Sequence, residues 1–355
     1  KYRTTLSDGS ISGGPMYYIE QGLNMKWVGI LFAALMMICA IGSGNMPQIN
    51  NIANVLESTF SIPKLLTGLV LGLLLWIIIV GGIKRIAQIA SKLVPIMGVI
   101  YFGGALIILI ENYENIIPSF NAIFSQVFTG SAAVGGFLGA SFAMSLKLGV
   151  ARGLYSNEAG QGSSPIAHAS AKTEKSVEQG MVSILEPFID TIVVCSVTAL
   201  VILSSGAWTQ KYENSFDRTS MFIFDGSYSE ENANDVEELG KFILDRRNFT
   251  NNTSSVKNYS GSLEVLEGKI QQDNITIFHK QSIAEDVLFM KDGKLINGFI
   301  DISNGSIDDL GVKVSGKSLI HSAELTAKAF SSGVLGVVGE YIVAIGLLLF
   351  AFSTA

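Results

Sequence analysis

Six stretches of this chain, 28–56, 66–82, 89–109, 128–148, 177–203 and 334–353, are apolar over the length of a membrane-crossing helix. A hydrocarbon core about 30 Å thick needs roughly 20 residues of helix, and lipid offers the backbone no hydrogen-bond partners, so these segments must satisfy their own amides. That constraint predicts an all-α integral membrane protein with six transmembrane helices. Composition supports it, since 15% of the residues are charged against about 25% in soluble domains. The charge is unevenly placed: 19 of 30 acidic and 13 of 24 basic side chains fall within 205–333. The predicted organisation is a transmembrane region over 1–204, a small water-soluble insert over 205–333 and a last transmembrane helix over 334–355. Short apolar runs at 221–224, 275–278 and 287–290 predict strands inside the insert, and no internal sequence repeat is visible. The chain starts without Met or a signal peptide and stops just after an apolar run, so it is read as part of a longer protein.

Lys and Arg placement orients the spans. Lys1, Arg3, Lys26, Lys84, Arg85, Lys92, Lys147, Arg152, Lys172 and Lys175 fall on one side of alternating spans and Lys64 on the other. The positive-inside rule puts residue 1 in the cytoplasm and 205–333 outside the cell. Asn-x-Ser/Thr sequons begin in that insert at Asn248, Asn251, Asn252, Asn258, Asn274 and Asn304. A net charge of -6 without a basic cluster argues against nucleic-acid binding. Cys39 and Cys195 lie far apart in apolar runs and the three histidines are isolated, so neither a disulfide framework nor a metal cluster is expected.

Several residues do not suit a passive anchor. The first span carries Gly-Ser-Gly-Asn-Met-Pro-Gln-Ile-Asn-Asn at 42–51. Amides in hydrocarbon must face other helices or a cavity, and Pro47 frees the carbonyl four residues back. Asn45 and Gln48 are the candidate solute contacts; the competing reading is helix packing through small residues. In the fourth span, Gly135, Gly136 and Gly139 flank Phe137 and Leu138. Each glycine costs a helix about 1 kcal/mol relative to alanine, so a break is expected there, unless the glycines form a packing face. The fifth span holds Glu186, Asp190 and Thr191; intramembrane carboxylates mark ion pathways or structural pairs. Ser353 and Thr354 close the sixth span with two hydroxyls. No His-Glu-x-x-His and no Ser/His pair supports an enzyme.

Six runs carry a resemblance. They are Gly-Gly-Pro-Met-Tyr-Tyr-Ile-Glu at 13–20, Gly-Asn-Met-Pro-Gln-Ile-Asn at 44–50, Gly-Gly-Ile-Lys-Arg at 81–85, Arg-Gly-Leu-Tyr-Ser-Asn-Glu-Ala-Gly at 152–160, Phe-Ile-Asp-Thr at 188–191 and Phe-Ala-Phe-Ser-Thr at 350–354. In order and spacing they resemble the alanine or glycine:cation symporter family, the sodium:alanine symporters, over 1–204 and 315–355. The resemblance implies a leucine-transporter-type fold of inverted repeats. The six spans would be its third to eighth helices, with the first, second and later helices outside the chain. It also implies sodium-coupled uptake of alanine or glycine across the cell membrane. Gln48 and Asn45 would contact the amino acid, together with Gly135, Gly136, Phe137 and Gly139 around an unwound sixth helix. Ser353 and Thr354 would ligate sodium, and Asp190 and Thr191 would line an ion pathway. The rival expectation is a membrane-anchored receptor or interaction protein acting through the 205–333 ectodomain.

Overall fold

A computed structural model describes the backbone of residues 1–7, 9, 11–129, 133–134, 137–138, 142–157, 160–246 and 254–354, and their side chains except at 43–45, 83–84, 126–129, 133–134, 137–138, 142–143, 156–157 and 351–354. Two compact units are present. One comprises Lys1–Leu106, Leu148–Leu200 and Tyr341–Ala355, the other Ile107–Lys147 and Val201–Glu340.

The strands β1 (Thr4–Thr5) and β2 (Ile11–Ser12) form a hairpin ahead of α1 (Pro15–Leu23). Proline suits the first helical position because no intrahelical bond is lost there. Asn24 ends α1 in the left-handed region at φ 54° and leads into α2 (Lys26–Cys39). A wide π-helical turn, Ala40–Asn45, connects α2 to α3 (Met46–Phe60). Buried Ile52, Val55 and Leu56 sit at the i, i+3, i+4 spacing of one helix face. Ser61, at φ 56°, reverses the chain into α4 (Lys64–Ile79), which packs on α3. Then come α5 (Gly82–Glu111), α6 (Ile116–Thr129) and a pair of two-residue strands, β3 (Ala133–Val134) and β4 (Phe137–Leu138). The helices α7 (Phe142–Asn157), α8 (Ser164–His168), α9 (Ser176–Ser183) and α10 (Leu185–Pro187) follow. A second wide turn, Phe188–Val194, leads to α11 (Cys195–Ser204).

The expectation of an all-α fold with six transmembrane helices is overturned. Among the described residues three helices are long and apolar enough to cross a membrane: Lys26–Phe60, Arg85–Glu111 and Ser176–Ser204. They contain the first, third and fifth expected spans. At 16 residues α4 reaches about 24 Å, short of a core about 30 Å thick. The last apolar helix, Val337–Thr354, has 18 residues and reaches about 27 Å. The fourth expected span is not one helix, because extended backbone at Phe137–Leu138 lies between α6 and α7.

The second reason is the amount of β-structure. Residues 212–318 form β5 (Tyr212–Ser215), β6 (Met221–Asp225), α12 (Ala233–Arg246), β7 (Lys257–Asn258), β8 (Gly261–Leu266), β9 (Lys269–Ile270), β10 (Ile275–His279), β11 (Ser282–Ile283), β12 (Glu285–Lys291), β13 (Lys294–Leu295), β14 (Gly298–Ser303), β15 (Ser306–Ile307) and β16 (Val312–Ser318). Three antiparallel four-stranded sheets result, ordered β11-β10-β6-β7, β13-β12-β16-β5 and β15-β14-β8-β9. The runs 221–224, 275–278 and 287–290 lie in β6, β10 and β12. After them come α13 (Ser322–Ser331) and α14 (Val337–Thr354).

Four two-residue turns make the hairpins. Glu267-Gly268, Lys280-Gln281, Asp292-Gly293 and Asn304-Gly305 all have positive φ at both positions, the geometry that matches strand twist. Their first residues stand 13, 12 and 12 apart, a structural repeat that composition does not reveal. Two of the turns tie sheets together through closed rings of backbone bonds. In one, Gly268 N–H donates to Ile296 O (2.9 Å), Ile296 N–H to Phe289 O (3.1 Å) and Phe289 N–H to Gly268 O (2.8 Å). In the other, Gly305, Tyr259 and Ile223 bond in the same cyclic manner. A Cβ on Gly305 would stand 3.0 Å from Ile223 O, so positive φ and close approach both require glycine.

Inward side chains from all three sheets, including Ile223, Leu263, Phe289, Ile300 and Val314, form one core, while α12 covers Phe224 and Phe278 with Leu239 and Ile243. Buried beside Phe216, His279 accepts from Asp217 N–H at Nε2 (3.3 Å). Its proton is therefore on Nδ1, which donates to Ser318 Oγ (2.7 Å). Burial pushes this ring down to about 3, with Lys280 and His321 adding to the effect. Of the sequon asparagines, Asn258 donates to Asn304 Oδ1 (2.9 Å), whereas 248, 251 and 252 lie outside the described residues.

Candidate functional site

Each wide turn adjoins a proline. Pro47 is the second residue of α3, and in an ordinary α-turn its ring would strike the carbonyl of residue 43. Widening the preceding turn relieves that clash. Pro187 stands on the other side of its turn, immediately before Phe188–Val194, so its ring does not force that turn open. Wide turns of this kind leave carbonyls without their usual partners and concentrate at functional sites. Asn45 is the last residue of the first turn, and Gln48 follows it in the first turn of α3, half-buried. Asp190 and Thr191 lie inside the second, both half-buried. Thr191 Oγ1 is itself buried and has no hydrogen-bond partner among the described residues.

These four residues and the two that end α14, Ser353 and Thr354, belong to one compact unit. The side chains of Asn45, Ser353 and Thr354 are outside the described set. Gly135, Gly136 and Gly139 lie outside the described residues altogether, and Phe137, in the other unit, is described only as backbone paired with Val134.

One polar constellation escaped sequence reasoning. Gln179 Nε2 donates to His168 Nδ1 (2.6 Å), so the ring proton is on Nε2 and points at Glu186 Oε2 (3.1 Å). Ser164 Oγ donates to the same oxygen at 3.0 Å. His168 is thus not isolated, and the Glu186 carboxylate is met by two donors. Nearby, Arg3 donates to Ala171 O (2.8 Å) and Thr173 O (3.2 Å). A cavity of about 550 Å³ is lined by Arg3, Tyr18, Ser164, His168, Thr173 and Gln179 among others. Its partners are 11 to 170 residues apart in sequence, so only Glu186, an acid in an apolar run, signalled any of it.

A profile of the sodium:alanine symporter family matches residues 1–225, more than half of the chain. The chain belongs to the sodium:alanine symporter family. The family match ends at residue 225 and does not reach 315–355, where the resemblance had also been expected. Similar proteins include the uncharacterized transporter YflA of Bacillus subtilis (strain 168), 43% identical over 210 residues, covering 59% of this chain and 44% of the relative. The sodium/alanine symporter AgcS of Methanococcus maripaludis is 43% identical over 210 residues, 58% of this chain and 46% of that protein. The probable sodium/glutamine symporter GlnT of Bacillus subtilis is 39% identical over 196 residues, 55% and 40% of the two chains. The matched part thus spans less than half of each relative. The family is one of transporters, not enzymes, and with three long apolar helices among the described residues this chain is a membrane protein.

Proposed function

We propose that the protein containing this chain is a sodium-coupled symporter that takes up a small neutral amino acid, alanine or glycine, by alternating access across the cell membrane. The observation that carries this reading is the coincidence of the two wide turns with the two polar runs in long apolar helices: Asn45 ends one and Asp190 and Thr191 sit in the other. Polar side chains and released carbonyls at such places suit solutes that must be held and let go. In this reading Gln48 and Asn45 contact the amino acid. On the family resemblance, Gly135, Gly136, Phe137 and Gly139 do so as well. Ser353 and Thr354 supply oxygens to sodium, and Asp190 and Thr191 line its path. Binding of one solute orders groups that the other needs, which couples the two by linkage. Residue 1 lies in the cytoplasm, with 205–333 outside the cell as an insert between the helices of 1–204 and the helix of 334–355.

The relatives' names extend from alanine to glutamine, so the substrate is tested directly. Full-length protein in proteoliposomes is given labelled alanine under an inward sodium gradient, with potassium as the control and unlabelled glycine and glutamine as competitors. Sodium-dependent accumulation, displaced by glycine, is the expected result. No uptake of alanine or glycine under either gradient overturns the proposal and moves attention to 205–333 as a receptor segment.

A further inference from the structure

Tyr101 belongs to the apolar helix Arg85–Glu111 and Thr198 to Ser176–Ser204. Thr198 Oγ1 donates to Val194 O at 2.8 Å. Its one proton is thereby committed, so the 2.5 Å contact with Tyr101 runs from the phenol O–H to Thr198 Oγ1. The resulting chain passes from α5 through α11 and ends on the carbonyl of the last residue of the wide turn Phe188–Val194. In an apolar setting such a directional pair is strong, and losing its donor is costly.

A wide turn is an α-helix holding one extra residue, and one residue corresponds to about 100° of rotation about the helix axis. Tightening Phe188–Val194 into regular α-helix would swing Asp190 and Thr191 by that angle relative to Cys195–Ser204. Thr191 Oγ1, buried without a partner among the described residues, gains nothing internal from its present direction. Something outside the turn must hold it there. We infer that Tyr101, acting through Thr198, is a positioning residue that keeps this turn wide and so sets Asp190 and Thr191 for sodium coupling. This rests on the symport reading above. Tyr101 is in none of the six runs that carry the family resemblance, and it acts at one remove from the proposed ion path.

Initial rates of labelled alanine uptake against external sodium decide it, using full-length wild type, Tyr101→Phe, Thr198→Val and Thr198→Ser in proteoliposomes. Tyr101→Phe and Thr198→Val are expected to raise the half-saturating sodium concentration about fivefold, the scale of one net hydrogen bond, at little cost in maximal rate. Thr198→Ser keeps the hydroxyl and stays near wild type. Loss of maximal rate with unchanged sodium dependence in both variants means ordinary structural support and overturns the inference. Should Tyr101→Phe fail to assemble, Thr198→Val decides by the same criterion. Wild type without sodium-dependent uptake overturns the symport reading itself, and the positioning role falls with it.

Discussion

The long apolar helices and the three-sheet segment 212–318 solve opposite solvation problems. Only 6%, 17% and 11% of the residues in the apolar windows of Lys26–Phe60, Arg85–Glu111 and Ser176–Ser204 are buried within the protein. In the sheets, Ile223, Leu263 and Phe289 are completely buried, and the outward positions of β8 and β14 are mostly polar. The helices satisfy their backbones internally and leave apolar side chains for lipid. The sheets satisfy theirs between strands and turn apolar side chains inward, away from water. Polar groups consequently mean different things in the two regions. His279 and Ser318 inside the sheets are partners that hold strands together, whereas Asp190 and Thr191 are polar exceptions within a long apolar helix.

That contrast can be broken most forcefully by acid. His279 is neutral in the folded segment down to about pH 3 and takes a proton near pH 6.5 when unfolded. The unfolded chain therefore binds more protons between those values, and stability present above pH 6.5 is lost as pH falls toward 3, by up to about 5 kcal/mol. Hydrogen exchange of the 212–318 peptides should accelerate over that window, and nitrogen NMR should show an Nδ1-protonated neutral ring at pH 5. A protonated ring at pH 5 would refute the assignment.

Core truncation compares the two regions directly. Phe289→Ala, at a fully buried site, should cost about 3–5 kcal/mol. Leu65→Ala, at a position 77% exposed on α4, should change stability by less than about 0.5 kcal/mol in detergent. Guanidinium titration of each variant measures both, and equal losses would mean that the helix surface is packed against protein. The smallest effect sharpens the turn argument. Gln281 sits at φ 67° with a buried Nε2 lacking a partner among the described residues. Gln281→Gly should therefore raise stability by about 0.5–1 kcal/mol in the same titration, and a loss would show that its side chain contributes packing.

Much of this was legible from local pattern. Three apolar stretches, the disturbance around Pro47, the carboxylate at Asp190 and the short strands at 221–224, 275–278 and 287–290 are each visible within one or two turns of chain. The number of spanning helices was not, because apolar composition alone does not distinguish a 16-residue helix such as α4 from one that reaches across the membrane. Three turns of the 12–13-residue repeat end in glycine, but Lys280-Gln281 takes up the same positive φ without one, and that breaks the pattern in the sequence.

By itself the sequence determined the family, the membrane setting and which polar residues stand inside apolar runs. Hydrophobicity and motif spacing are properties of neighbours along the chain. Only the tertiary structure decided that two of those runs form wide turns, that Tyr101 reaches Thr198 across 97 residues, and that His168, Gln179 and Glu186 form one network. Those outcomes depend on which distant groups meet once the backbone's hydrogen bonds and apolar surfaces have been satisfied, and no local rule specifies that meeting.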